Sequence, residues 1–150
     1  MTATLIGIIG CGTISDAYLK GAAASKLIKV KACADLRPEA AQAKAKTYGI
    51  EAMTVEALLA DPEIEIVINL TVPAAHASVS LQVLNAGKHV YLEKPLSAQL
   101  ADARAVVAAA NAKGLRVGCA PDTFFGASHP QQEMLKFSIA SPARASMKTR

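Results

Sequence analysis

The chain has 150 residues, 52% of them apolar, 4% aromatic and none tryptophan, with a formal net charge of +4. That length accommodates one domain with a single core; no apolar run is long enough to span a membrane, and no charged-then-apolar leader follows Met1, so a cytoplasmic protein is expected. The excess charge builds no nucleic-acid face, because Lys136, Arg144, Lys148 and Arg150 against Glu133 place +3 of it in the last 25 residues and leave residues 1–125 at +1.

Leu5-Ile6-Gly7-Ile8-Ile9 reads as a buried strand that ends in Gly10-Cys11-Gly12 and opens into a helix. Two glycines at that junction let the backbone turn tightly and approach a pyrophosphate, while unpaired N–H groups at the helix start face its oxygens. The third small position of the G-x-G-x-x-G/A pattern is Ser15, which weakens the expected helix-to-strand packing and leaves the phosphate contact intact. Ile14, Ala17, Tyr18 and Gly21-Ala22 form the predicted buried stripe of this helix. The strand Ile28–Ala34 then ends at Asp35, 23 residues beyond Gly12. An acid at that distance accepts from ribose hydroxyls. Arg37 suits a 2′-phosphate, but the Asp35 carboxylate repels one, so NAD is favoured and NADP stays open. Taken singly, the glycines make any tight turn and Asp35 caps the next helix. The ordered set is the stronger signal.

The three cysteines, Cys11, Cys33 and Cys119, lack C-x-x-C spacing, so neither a disulfide framework nor a metal site is expected. Cys11 lies in the phosphate loop, where a helix dipole lowers a thiol's pKa; the plainer reading is a small tolerated side chain.

Beyond Asp35 the pattern alternates. It predicts a helix over Pro38–Tyr48 stopped by Gly49, a short strand at Glu51–Met53, and a small helix from Thr54 to Leu59. A strand over Glu65–Leu70, a helix over Ala74–Asn85, a strand over Lys88–Leu92, a helix over Ala98–Lys113 and a strand over Leu115–Gly118 follow. Short apolar strands separated by helices imply a Rossmann-type α/β fold, a doubly wound parallel sheet in three layers with strand order 3-2-1-4-5-6. Residues 1–125 form this unit. Residues 126–150 read as an irregular basic tail or the opening of a second domain, with at most a short helix at Gln131–Phe137.

Three segments reach the carboxyl edge of such a sheet: Gly10–Ser15, Asn69–His76 and Leu92–Leu96. With Asn69, Thr71, Pro73 and His76 in the second and Glu93-Lys94-Pro95 in the third, the chain resembles the nucleotide-binding half of the glucose–fructose oxidoreductase/inositol dehydrogenase (Gfo/Idh/MocA) family. The likeness covers roughly residues 4–129, including Pro121-Asp122-Thr123-Phe124-Phe125. It implies that Gly10, Gly12, Thr13 and Ile14 cradle the pyrophosphate and that Asp35 and Arg37 meet the adenosine ribose. Thr71, Pro73 and His76 would line the middle of the cofactor, and Glu93 and Lys94 the nicotinamide end.

Lys94 is implied as the catalytic residue that polarises or relays a proton from a substrate hydroxyl, with Lys94–Pro95 in cis. The implied reaction is hydride transfer between NAD(P) and a sugar- or polyol-like hydroxyl. The family's substrate domain is not in this sequence, so a sugar or polyol partner is expected only when that domain is supplied. The competing expectation is a dinucleotide-binding fragment or scaffold without turnover. Homo-oligomerisation stays open.

Overall fold

The computed structural model describes residues 3–121. The expected Gln131–Phe137 helix, the basic tail and the end of the 121–125 motif lie outside them. Six strands, β1 (Thr4–Ile9), β2 (Ile28–Ala34), β3 (Glu51–Ala52), β4 (Ile66–Asn69), β5 (His89–Leu92) and β6 (Val117–Cys119), pair in parallel in the order β3-β2-β1-β4-β5-β6. This is the expected doubly wound sheet, with order reversing between β1 and β4. The helices between strands are α1 (Ser15–Ala23), α2 (Pro38–Tyr48), α3 (Val55–Ala60), α4 (His76–Asn85) and α5 (Leu100–Ala112).

Side chains alternate between two cores. Ile6, Ile8, Val30, Cys33 and Ile68 pack with Leu19 and Ala22 of α1 and Ala41 and Ala45 of α2. Ile9, Ala32, Ala34, Val67 and Val90 pack on the other face with Leu58 of α3, Ala77, Val83 and Leu84 of α4, and Val106 and Ala110 of α5. Burial on both faces explains why the strands read as continuous apolar runs. Small side chains bring helix and sheet backbones close: a Cβ on Gly7 would stand 2.8 Å from the Leu58 side chain. The β1–β2 register slips between Ile6 and Gly7, where Ile6 pairs Val30 and Gly7 pairs Ala32. Lys31 is therefore the extra residue of a bulge, and Val30 and Cys33 share a face despite their odd spacing. The Lys31 ammonium lies 2.5 Å from Asp61 and 2.6 Å from Glu63, and the buried Lys88 ammonium donates to the Asp61 and Ile64 carbonyls. These contacts fix the turn before β4.

Four local expectations shift. α1 begins at Ser15 and buries Ser15, Leu19 and Ala22, with Tyr18 half-buried. Ile14 (45% exposed), Ala17 and Gly21 face outward. The helix is thus rotated so that the small side chain of Ser15 lies under the glycine turn. Pro73–Ala75 forms a 3-10 turn and α4 starts only at His76. α5 starts at Leu100 rather than Ala98, after a turn in which the Ser97 hydroxyl accepts from Gln99 N–H. β6 lies two residues later than expected at its start, because Leu115 N–H is taken by the Ala110 carbonyl in the α5 terminus. α2 keeps its expected bounds, with Gly49 in the left-handed conformation at its end. No helix among the described residues is long and apolar enough to cross a membrane.

The two glycines of the first turn differ in their steric situation. Gly10 has φ +102°, and a Cβ there would lie 2.6 Å from the Leu70 carbonyl carbon and oxygen, whereas a Cβ on Gly12 meets nothing within 4 Å. Gly10→Ala is expected to destabilise the fold by at least about 2 kcal/mol. Gly12→Ala should stay within about 0.5 kcal/mol of wild type. Urea unfolding of both variants checks the contrast.

Candidate functional site

The carboxyl ends of β1, β2, β4 and β5 carry the residues singled out in the sequence. At β1, Gly10 N–H donates to the Ala34 carbonyl and Leu70 N–H to the Ile9 carbonyl, so the ends of three strands are sewn together beneath the turn. The chain then enters α1 through tight bonds, with Ser15, Asp16 and Ala17 N–H donating to the Gly12, Thr13 and Ile14 carbonyls. Among the described residues, none accepts from the N–H groups of Gly12, Thr13 and Ile14, and all three residues are exposed. A row of free amides at a helix start is a seat for an anion. Ser15 is fully buried and its hydroxyl donates to the Gly12 carbonyl at 2.6 Å. It therefore does the packing work of the third glycine while satisfying its own polar atom.

Asp35 does more than wait for a ligand. One carboxylate oxygen accepts from Cys11 N–H at 2.7 Å and the other from Arg37 N–H at 2.9 Å, and the side chain is 14% exposed. The acid thus locks the glycine turn to the end of β2. The side chain keeps a small exposed part at the edge, where ribose hydroxyls are expected. The Arg37 guanidinium is 70% exposed and its Nε lies 3.8 Å from Asp35, too far for a hydrogen bond. Cys11 follows the plainer reading: its thiol is buried and points at the Ala34 carbonyl. Hydrogen bonding with Cys33, together with burial, pushes it above the usual thiol range. A helix dipole would have the opposite effect.

At β4 the buried side chain of Asn69 organises the next segment. Its amide nitrogen donates to the His76 carbonyl at 3.0 Å and to Ser80 Oγ at 3.1 Å, and its oxygen accepts from Thr71 N–H at 3.2 Å and Thr71 Oγ1 at 2.7 Å. Every polar atom of the amide is used. Thr71 is half-buried, and Val72 and Pro73 are exposed at the edge. His76, expected along the middle of the cofactor, is buried behind the edge. Its ring is 1% exposed and lies between two carbonyls, with Nδ1 2.6 Å from Pro95 O and Nε2 3.0 Å from Thr71 O. The imidazole is a strut between the loops after β4 and β5, since helix α4 starts with its first side chain turned inward.

The third segment is held from several sides. Glu93 N–H donates to the Asn69 carbonyl. Glu93 Oε1 accepts from Tyr18 OH at 2.6 Å, and Oε2 accepts from Lys94 N–H at 3.1 Å. Burial and the adjacent carboxylate push the Tyr18 hydroxyl well above the usual phenol range. Lys94–Pro95 is cis, as expected. The Lys94 side chain is exposed, and among the described residues its ammonium has no hydrogen bond or ion pair.

Gly10, Gly12, Thr13, Ile14, Asp35, Thr71, Pro73, Glu93 and Lys94 thus share one edge, with Arg37 beside it and His76 behind it. Asn69 was expected in the second edge segment without a role of its own, and Tyr18 only in the buried stripe of α1; both are bonded to residues of the edge. A lone amide closing a β-branched buried strand was the legible signal for Asn69; Tyr18 had none, because its partner is 75 residues away. A concavity of about 410 Å³ bordered by Lys29, Lys31 and Gly49, and another of about 440 Å³ between α5 and β6, involve none of these edge residues. With Gly12, Thr13, Ile14, Pro73 and Lys94 all exposed, the edge is an open ledge among the described residues.

Residues 4–120 match the family GFO_IDH_MocA, described as "Oxidoreductase family, NAD-binding Rossmann fold". Inositol 2-dehydrogenase of Salmonella typhimurium is 36% identical over 115 residues, which are 74% of this chain and 34% of that protein. The WlbA dehydrogenase from Bordetella pertussis, solved in complex with NADH and UDP-GlcNAcA, is similar with a TM-score of 0.75 and 26% identity, over 79% of this chain and 35% of that one. A 3-ketoreductase from Actinomadura kijaniata, solved with NADP and TDP-benzene, has a TM-score of 0.75 and 31% identity, over 89% and 41%. The chain spans about a third of the length of the curated relatives it matches.

Asn69→Asp tests the network behind the ledge. It replaces the donor that meets the His76 carbonyl with an acceptor at a fully buried position, and is expected to cost about 2–4 kcal/mol. The midpoint of chemical denaturation, compared with wild type at neutral pH, measures it.

Proposed function

This chain belongs to the oxidoreductase family with an NAD-binding Rossmann fold, and from that premise we propose that its ledge binds a nicotinamide dinucleotide for hydride transfer to or from a hydroxyl-bearing carbon of a sugar or polyol. The observation that carries this reading is the row of free amides at Gly12, Thr13 and Ile14 beneath open space, with a locked carboxylate on one flank and a free lysine on the other. Gly12 is compatible with the same group: among the described residues no atom lies within 4 Å of a Cβ placed there, so the turn is open to a diphosphate. Gly10 and Gly12 would let the diphosphate approach the backbone, and the amides of Gly12, Thr13 and Ile14 would hold it. Asp35, with Arg37 beside it, would accept from the ribose hydroxyls at the β2 side. Thr71 and Pro73 would border the middle, and Glu93 and Lys94 the far end.

The dinucleotide, when bound, supplies the hydride chemistry. The chain's own contribution is position and a proton. The Lys94 amine is carried on a turn whose main chain is fixed by Glu93, so the ammonium projects from a defined point. It would stabilise or relay the hydroxyl proton of a substrate as the carbonyl forms or is reduced. His76 supports this indirectly by tying Pro95 to Thr71, which is a positioning role.

Asp35 also favours NAD. Its carboxylate is held by two main-chain N–H groups and cannot swing aside, so a 2′-phosphate would meet a fixed like charge. The exposed Arg37 leaves a route for NADP once that charge is removed. Among the described residues nothing covers the exposed Lys94 side chain, and a substrate-binding part over it would exclude water from the reaction. The unpaired thiols Cys11, Cys33 and Cys119 fit a reducing cytosol.

Fluorescence titration is expected to show saturable NADH binding by the 150-residue chain, at least about tenfold tighter than NADPH. Asp35→Ser should narrow or invert that ratio. Incubation of the chain with NAD and a panel of polyols should give no absorbance at 340 nm above background. Absence of any dinucleotide binding would overturn the proposal.

A further inference from the structure

Glu93 lies at the far end of the ledge from Asp35, and its carboxylate is not left to solvent. Tyr18 reaches it from α1, the helix whose first turn carries the free amides. The phenol is half-buried, its ring tilted at 56° against Tyr91 with centroids 6.4 Å apart, so the hydroxyl arrives in a fixed direction. Its 2.6 Å bond takes one oxygen of Glu93, and the other oxygen takes the Lys94 main-chain N–H at 3.1 Å. The Glu93 main chain is tied separately, through its N–H to the Asn69 carbonyl, and its own carbonyl lies 3.8 Å from Cys119 Sγ. The carboxylate is therefore a link with two ends, one on α1 and one on the backbone of Lys94.

We propose that Tyr18 is a positioning residue for the reaction end of the ledge, holding the Glu93 carboxylate and through it the Lys94 backbone in register with the helix that seats the diphosphate. The inference rests on the reading of the ledge as a dinucleotide site. Its physical content is that the two ends of the ligand are placed by one rigid element: α1 starts at the diphosphate seat and, one turn later, fixes the group beside the nicotinamide. A hydrogen bond to a carboxylate in a half-buried setting is among the stronger neutral-donor bonds. Without it Glu93 keeps only the local bond to its neighbour's N–H, which does not register the turn against α1.

Tyr18→Phe tests this because it removes one oxygen and keeps the ring packing on Tyr91. Two measurements separate the positioning claim from the function claim. The first is the Lys94 backbone amide resonance of the ligand-free, isotopically labelled chain, which should move in Tyr18→Phe as its acceptor loosens. The second is binding of ADP-ribose against NADH. Tyr18→Phe should weaken NADH by about tenfold and leave ADP-ribose unchanged. In a Glu93→Ala background the tyrosine substitution should have no further effect on NADH.

A Lys94 amide that does not move overturns the inference whatever binds. Equal weakening of both ligands, or of neither, overturns it too, as does a wild-type chain that holds ADP-ribose as tightly as NADH. Failure of wild type to bind either ligand, with the amide shift present, overturns the dinucleotide reading and with it the role at a reaction end.

Discussion

The contact on which the site depends is the abutment of β1 and β4 at Gly10 and Leu70. The strand order reverses there, so helices leave to opposite faces and the carboxyl ends part above the sheet. The two backbones close beneath that gap, with Leu70 N–H on the Ile9 carbonyl at 2.7 Å and no room for a side chain on Gly10. A larger residue would push β1 from β4 and tilt the start of α1. The amides of Gly12, Thr13 and Ile14 face outward because the chain is forced to turn at that point. Asp35 completes the constraint from the other neighbour by holding Cys11 N–H. The carboxylate read as a ligand group is thus also part of the frame that shapes the ligand's seat.

The same economy holds around the lysine. No residue of the ledge binds Lys94 itself; its neighbours are bound instead. Glu93 is tied to α1 and to the end of β4, and Pro95 is tied through the His76 ring to the loop after β4. Asn69 is a buried polar side chain whose atoms all have partners, an arrangement that is costly when incomplete and rigid when complete. Rigidity behind the edge lets an exposed amine keep a defined origin. The two lysines of the opposite kind, Lys31 and Lys88, are spent on the turn before β4 and serve the frame only.

Much of this was legible in the chain. Parallel strands buried on both faces leave continuous β-branched runs, and the helices between them end at Gly49, Gly87 and Gly114, so the order of elements followed from periodicity and turn chemistry. The glycine turn and Asp35 were legible because their spacing is set by one βαβ unit. What was not legible is what depends on contacts between units. The face of α1 was misjudged because Ile14 looked like a core residue, and only the glycine turn's geometry makes it a loop residue 45% exposed. His76 looked like a ligand group because a histidine at a helix start is ambiguous until the carbonyls of Thr71 and Pro95 are placed beside it. Tyr18 gave no signal at all, since a tyrosine on a helix is ordinary core material until a carboxylate from 75 residues away meets its hydroxyl.

These contacts also explain how the described unit holds its form while the Lys94 end of the ledge stays exposed. The frame is internal: the buried side chains of Ser15, Asn69 and Ser80 find their hydrogen-bond partners within the described residues, and the His76 ring lies between two of their carbonyls. Nothing in the ledge requires a second layer of protein to keep Asp35, the free amides or Glu93 in place. What a second layer would add is exclusion of water and a substrate held against the Lys94 amine, and both act only on groups that already project outward. Asp35, Asn69 and Glu93 thus have their partners within the Rossmann unit, whereas the Lys94 ammonium, among the described residues, has none.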